Sequence, residues 1–379
     1  MTGAFKAAMV GPTGVGKTTL LTAVLTETEG ILDGLPMKVA TDEETEFRVN
    51  DHLKQLRKAL AAKEFHPGAL TNTQVMSVYD VSLRVLDAES LDIPFSLLDF
   101  PGGWMDPAVR KGAMGAADGW PRCVAHIQES VMLLVPIDAA VLMEARTPAH
   151  RAARTERLGL VDVERTAREW ARVRNERPDE PAVLVLAPLK CEKYFDDNGG
   201  DNGFDGGQLR REVRSLYDKV ITEVRKQATN SPIRVLYAPI DTYGCVELAE
   251  AFWRPDAKGE LELDAFYRFR GNPPEVRVKA AATVMQELCR MIVHAQDAAE
   301  RERAVPLHER ADLLQQRKNE HKGILGTLVY HLSGEGRAVD RKLDEARLGI
   351  EGVARRREQL QDAVARLAGK PNDPRVEEW

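Results

Sequence analysis

Residues Gly11, Pro12, Thr13, Gly14, Val15, Gly16, Lys17 and Thr18 fit the spacing G-x-x-x-x-G-K-[ST], directly after the apolar run Ala7-Ala8-Met9-Val10. Each residue type has a task in holding phosphate. Glycines let backbone N–H groups close around the oxygens, the lysine reaches the β- and γ-phosphates, and the threonine hydroxyl ligates Mg²⁺. The run Thr19-Leu20-Leu21-Thr22-Ala23-Val24-Leu25 continues as a helix, whose N-terminus adds the positive end of its dipole. Residues 11–19 are therefore the candidate phosphate cradle, Thr19 included.

A second constellation is Ser96-Leu97-Leu98-Asp99-Phe100-Pro101-Gly102-Gly103, an apolar strand that ends in an acid followed three residues later by glycine. Where a phosphate loop precedes it, such an acid holds Mg²⁺ through water and the glycine N–H contacts the γ-phosphate. Thr18 and Asp99 are thus expected to share one metal. Hydrolysis removes the phosphate these groups touch, so Gly102–Met114, with Trp104, is a natural switch segment.

The elements that must position these groups are legible as alternation. Strand-like runs occur at Phe5–Val10, Val75–Leu86, Phe95–Asp99, Val131–Pro136, Ala182–Pro188 and Ile233–Pro239. Helical stretches lie at Thr18–Thr28, Glu46–Ala62, Ala116–Glu129, Val161–Asn175 and Gln208–Gln227. This order predicts an α/β fold with a mostly parallel, helix-flanked sheet. The alternation of Val75–Leu86 suits an antiparallel edge strand paired with Phe95–Asp99.

After Gly271-Asn272-Pro273-Pro274 the strands stop, and an α-helical C-terminal region is expected at roughly Glu275–Arg303, Leu307–Leu332 and Arg337–Leu367. Val339, Leu343, Ala346, Ile350, Val353, Leu360, Val364 and Leu367 make a heptad seam that only Arg357 interrupts. Such a seam serves either an intramolecular hairpin packed on the first domain or a coiled-coil homodimer. The expected domains are residues 1–270 and 271–379.

Bulk properties narrow the function classes. A chain of 379 residues with 43% hydrophobic and 30% charged content holds one large or two ordinary cores. A formal net charge of −6 argues against broad nucleic-acid binding. The longest apolar run, Val131–Met143, carries Asp138 and is too short to span a bilayer, and no leader pattern precedes the first strand, so a cytoplasmic protein is expected. Cys123, Cys191, Cys245 and Cys289 are scattered, which reads as reduced core thiols rather than a zinc site or disulfide framework. Asp196–Gly203 lacks the spacing of a calcium loop and reads as a plain loop.

The sequence GPTGVGKT followed about eighty residues later by DFPGG resembles the Ras-like, translation-factor class of P-loop GTPases over roughly residues 5–250. In its helix-bearing insertion before the second strand it is also similar to the bacterial double-GTPase type. The resemblance implies a P-loop NTPase fold that binds GTP or GDP with Mg²⁺ through Thr18, Asp99 and a switch threonine. Thr71 and Thr73 are the candidates for that threonine, and spacing does not choose between them, whereas Thr41 is separated from the antiparallel strand by a helix; Lys17, Thr73 and Gly102 would act on the γ-phosphate. The family reads guanine with [NT]-K-x-D. Here Leu189-Lys190-Cys191-Glu192 stands in that place, so Lys190 would lie along the base and Glu192 would accept its Watson–Crick N–H donors. Leu189 departs from the polar residue that ties this loop to the phosphate loop, and glutamate is one methylene longer than aspartate. The last base loop keeps only Ala238.

Gly103 stands where such switches carry a water-positioning glutamine, so hydrolysis is expected to be slow unless Arg110, a protein partner or a second protomer completes the site. The function expected is a GTP-dependent regulatory switch whose helical tail reports nucleotide state to a partner. An ATP-dependent P-loop enzyme or kinase and a non-catalytic nucleotide-binding scaffold are the alternatives.

Overall fold

The apolar run ahead of Gly11 forms β1 (Phe5–Met9), an interior strand, and the glycine-rich loop turns from it into α1 (Lys17–Leu32). The computed structural model describes residues 5–33, 35, 37–62, 74–86, 91–178, 180–195, 206–320 and 335–379. After α1 come β2 (Met37–Thr41), α2 (Glu43–Ala62), β3 (Ser77–Val85) and β4 (Leu91–Asp99). A 3-10 turn at Gly102–Met105 and the single-turn α3 (Pro107–Arg110) lead to α4 (Ala116–Glu129) and β5 (Met132–Asp138). Three helices follow, α5 (Ala139–Met143), α6 (Pro148–Arg157) and α7 (Leu160–Arg174), then β6 (Ala182–Leu189), α8 (Gly206–Gln227) and β7 (Ile233–Tyr237). The chain closes with β8 (Val246–Pro255), β9 (Leu261–Phe269), α9 (Ala281–Glu320), α10 (Glu335–Ala368) and β10 (Glu377–Glu378).

The fold is α/β, with a mostly parallel eight-stranded sheet in the order β10-β7-β6-β5-β1-β4-β3-β2 and a helical C-terminal region. β4, β1, β5, β6 and β7 run parallel to one another, while β10 pairs antiparallel with β7 and β3 with β4. β5 and β6 are buried along nearly their whole length, as interior parallel strands covered on both faces must be. One core lies between the sheet and α1, α9 and α10, and another lies against α4, α5, α7 and α8 on the opposite face.

Several details differ from expectation. β3 pairs antiparallel with β4 as expected, from Ser77↔Asp99 to Val85↔Leu91, but it is not the edge. The short strand β2 lies outside it, pairing Met37↔Val85 through Thr41↔Val81. Five residues with a lysine and a threonine give too little period-2 signal to be read alone. β8 and β9 form a separate antiparallel hairpin, with a register shift between Leu248 and Glu250, where no strands were expected.

The two helices expected around Pro306 are one, since α9 runs through that proline. α9 and α10 pack antiparallel, and Leu343, Ala346, Val353, Leu360 and Leu367 of the heptad seam are buried. The seam therefore serves an intramolecular hairpin. Arg357, the polar break in it, pairs with Asp297 at 2.8 Å, and Arg356 pairs with Glu300 at 3.0 Å, which fixes the register between the helices. The first turns of α9, through Val284, Met285, Leu288 and Ile292, share a core with Leu20, Leu21 and Leu25 of α1. Residue 270 thus marks a change of secondary structure within a continuous core, and β10 returns to pair with β7.

Among the described residues no helix is long and apolar enough to cross a membrane. All four cysteines are free and buried. Thr71, Thr73 and Asp196–Gly203 lie outside the described residues.

Candidate functional site

The glycine-rich loop leaves β1 at the end of the parallel strands and enters α1 through Gly16, whose φ of 104° lies in the left-handed region that favours glycine. Lys17 begins the helix and folds back, donating Nζ to the carbonyls of Gly11 at 3.0 Å and Pro12 at 2.9 Å. Its side chain is almost wholly buried, which lowers its pKa to about 8, with the charge of Asp99 opposing that fall. The next residue, Thr18, donates its hydroxyl to Asp99 Oδ2 at 2.7 Å. Asp99 ends β4, which lies beside β1 in parallel register, and this register brings two residues distant in sequence to one point.

Gly102 follows three residues after Asp99 and packs on the loop itself. A Cβ there would stand 2.3 Å from Pro12 C and Thr13 N, so only glycine fits without moving backbone. Gly103 N–H donates to Thr13 Oγ1 at 3.0 Å, a second tie between the loop and the 102–105 turn. Arg110 points away from that tie. It donates Nη1 to Trp104 O at 3.0 Å, and its guanidinium lies 4.5 Å from the Trp120 ring centroid. The expectation that Arg110 could complete the site thus meets a side chain already committed elsewhere. Val109 and Met114 of the same stretch are exposed.

Leu189-Lys190-Cys191-Glu192 leaves the end of β6 beside the loop. Leu189 packs within 3.3 Å of a Cβ built on Gly16. The polar tie that Leu189 lacks is supplied by Lys190, which donates to Gly14 O at 3.1 Å and forms an ion pair with Asp138 at the end of β5. Glu192 turns inward. It is only 3% exposed, and its carboxyl accepts N–H groups of its own backbone and of Gly244. Burial and the neighbouring Asp241 charge raise its pKa to about 8, against the pull of Arg270. A group expected to meet a base edge is therefore held as a buried acid whose ionisation burial and Asp241 oppose. Ala238 is also buried, and its N–H is committed to Leu186 O at 2.9 Å, so it extends the sheet pairing rather than an open loop.

Four groups beside the loop escaped the sequence reading. Asp138 was visible only as the charge breaking an apolar run. Tyr243, after β7, bonds with the side chain of Thr19 and lies 3.2 Å from His52 Nε2 of α2. Burial lowers the pKa of His52. Gly159, in the turn between α6 and α7, lies against Pro12, with 3.6 Å separating its built Cβ from Pro12 Cβ. No spacing rule joins positions this far apart, and only the folded sheet does.

The cluster gathers a buried lysine, a hydroxyl, a carboxylate and a helix N-terminus at one loop, which is a donor set suited to an anionic ligand with a hard cation. Thr18 and Asp99 offer oxygen ligands, and Mg²⁺ takes only one or two such protein groups beside phosphate and water. The residues present fit that cation. No model of a protein family matches the chain, and no curated protein matches it in sequence.

Proposed function

We propose that the chain binds GTP and GDP with Mg²⁺ on residues 11–19 and acts as a slowly hydrolysing guanine-nucleotide switch of the Ras-like P-loop class. The observation that carries this reading is the 2.7 Å contact between the Thr18 hydroxyl and Asp99, beside the buried Lys17. The loop N–H groups and Lys17 hold the phosphates. When bound, Mg²⁺ neutralises charge developing on them. Gly102, already packed on the loop, offers its N–H toward the γ-phosphate, and the 102–114 segment responds to that contact. Thr73, with Thr71 as its alternative, is the proposed switch threonine. Lys190 lies along the base, and Glu192 accepts from guanine once ionised.

Slow turnover follows from Gly103, which has no side chain to orient water, and from Arg110, which is committed to Trp104 and Trp120. The hairpin of α9 and α10, largely exposed beyond Arg303, is the surface offered to a protein partner. A cytoplasmic setting belongs to the same proposal. The inward-turned, buried Glu192 favours one second reading, a non-catalytic scaffold that holds nucleotide for stability.

The test of the metal arm is titration of GTP with and without Mg²⁺ on the wild type, Thr18→Ala and Asp99→Asn. Mg²⁺ should strengthen wild-type binding by about tenfold or more and leave both variants nearly unmoved. Equal Mg²⁺ dependence in all three removes Thr18 and Asp99 from the metal.

A further inference from the structure

One buried ion pair ties the C-terminal tail to the loops at the far side of the candidate site. Arg375, between α10 and β10, donates Nη1 to Asp241 Oδ2 at 2.7 Å, with both side chains almost entirely buried. Asp241 belongs to the loop after β7. Its other oxygen, Oδ1, accepts from Cys191 Sγ at 3.2 Å, and Cys191 is the middle residue of Lys190-Cys191-Glu192. The Arg375 guanidinium also lies 4.3 Å from the centroid of the Phe195 ring. The tail is pinned on both sides of that contact. Asp373 Oδ2 accepts the Ala280 N–H at 3.1 Å, Thr283 Oγ1 accepts the Asp373 N–H at 2.9 Å, and Trp379 N–H donates to Val235 O at 2.8 Å. Lys279, just ahead of α9, donates its N–H to Asp241 O at 3.0 Å.

The carboxylate of Asp241 thus joins Cys191 of the 190–195 stretch to Arg375 of the tail, while its main-chain carbonyl and Asp373 tie the 240–244 and 373–376 stretches to the residues leading into α9. A buried ion pair is a poor device for stability alone, because apolar residues of similar volume often do as well. It is effective at fixing geometry, because removing one partner leaves an uncompensated charge that the surrounding loops must move to solvate.

We propose that Arg375 is a positioning residue for base recognition. By holding Asp241, it sets the 190–192 loop and the 240–244 loop at one separation, which makes purine selection depend on the C-terminal tail. Because the same tail closes the α9–α10 hairpin onto the sheet, a partner that shifts the hairpin is felt at the base. This rests on the reading of those loops as base-contacting.

The test uses the full chain as wild type, Arg375→Met, Arg375→Lys and Asp241→Asn, with circular dichroism to establish folding. Affinities for GDP and for Mg²⁺-tripolyphosphate, which has no base, are measured by calorimetry. Labelling of Cys191 by N-ethylmaleimide is followed by peptide mass spectrometry. Arg375→Met should weaken GDP about ten- to hundredfold while tripolyphosphate stays within about twofold, and Arg375→Lys should recover most of the loss. Cys191 should become reactive in Arg375→Met and regain protection with GDP. If Arg375→Met does not fold, Asp241→Asn carries the same expectation, since it removes the charge at nearly constant shape. The proposal is overturned if GDP and tripolyphosphate weaken equally, or if GDP affinity and Cys191 protection are unchanged in folded variants. A wild type that binds neither ligand overturns the nucleotide reading and takes this one with it, whereas intact wild-type binding with unaltered selection overturns only the role of Arg375.

Discussion

Substituting Gly102 by alanine places one carbon where the packing leaves no room. Its Cβ would stand 2.3 Å from Pro12 C and Thr13 N and 2.7 Å from Gly11 O, whereas non-bonded heavy atoms are comfortable at about 3.5 Å. The obstructing atoms are backbone, so relief requires the 102–105 turn to move off the loop by about 1 Å. That movement also breaks the 3.0 Å bond from Gly103 N–H to Thr13 Oγ1. Overpacking costs about 1–3 kcal/mol and the lost hydrogen bond about 0.5–1.5 kcal/mol, so the closed arrangement loses roughly 2–4 kcal/mol. The φ of Gly102 lies outside the left-handed region, which leaves the contact as the sole source of the effect. Detachment of the 102–114 segment caps the cost, so global melting should move little while local opening rises by about 30-fold or more. Trypsin cleavage after Arg110 and Lys111, followed by mass spectrometry, reads that opening directly. Gly103→Ala is the control, because its Cβ meets only side-chain atoms, Val109 Cγ1 at 3.1 Å, which can yield, and Thr13 Oγ1 at an ordinary 3.8 Å. Cleavage of Gly102→Ala at the wild-type rate would refute the close packing of this turn on the loop.

Three further outcomes follow from burial. Glu192 has its folded pKa raised to about 8 and Lys17 has its lowered to about 8, by burial in both cases. In the proposed reading a carboxylate meets the guanine edge and an ammonium the phosphate, so GDP affinity should rise with pH up to about 8 and fall above it. Glu192→Gln should lose the rising limb and keep the falling one, and a flat wild-type profile in calorimetry would exclude both roles. The same shift fixes a sign for stability. The contribution of Glu192 is complete below the ordinary carboxylate range and is lost as pH rises through about 8, so Glu192→Gln should resist denaturant better than wild type at alkaline pH. In the hairpin, Leu360 is fully buried in the core that α10 shares with the sheet, and Leu360→Ala should cost about 2–5 kcal/mol in chemical denaturation. Leu348, 67% exposed on the same helix, should cost less than about 0.5 kcal/mol on the same change, and equal losses would contradict the assigned faces of α10.

The parts of this fold that were legible in the sequence carry strong local patterns. The long apolar runs of β5 and β6 and the turn residues between Met9 and Lys17 specify their own conformation, and the heptad seam of α10 specifies a partner helix. β2 and the β8–β9 hairpin did not announce themselves, because they are held by pairing and by tertiary contacts such as Trp253 Nε1 to Glu144 O at 3.0 Å. The juxtaposition of Thr18 and Asp99 follows from a spacing rule joined to a strand order. The inward turn of Glu192 depends on Asp241, Gly244 and Arg270, which arrive from after β7 and from the β8–β9 hairpin, and no local pattern carries that information. The same holds for Arg375, whose partner lies across the whole C-terminal hairpin.

The measurement that bears most directly on the central claim is a calorimetric titration of GTP, GDP and ATP with Mg²⁺ against the full chain, repeated on Lys17→Ala. Binding of GTP and GDP, preferred over ATP and lost by about a hundredfold or more in a folded Lys17→Ala, is the result predicted, because a buried cation beside the phosphates has no substitute there. Tight GTP binding that survives Lys17→Ala, or no binding of any of the three nucleotides by the wild type, would contradict it.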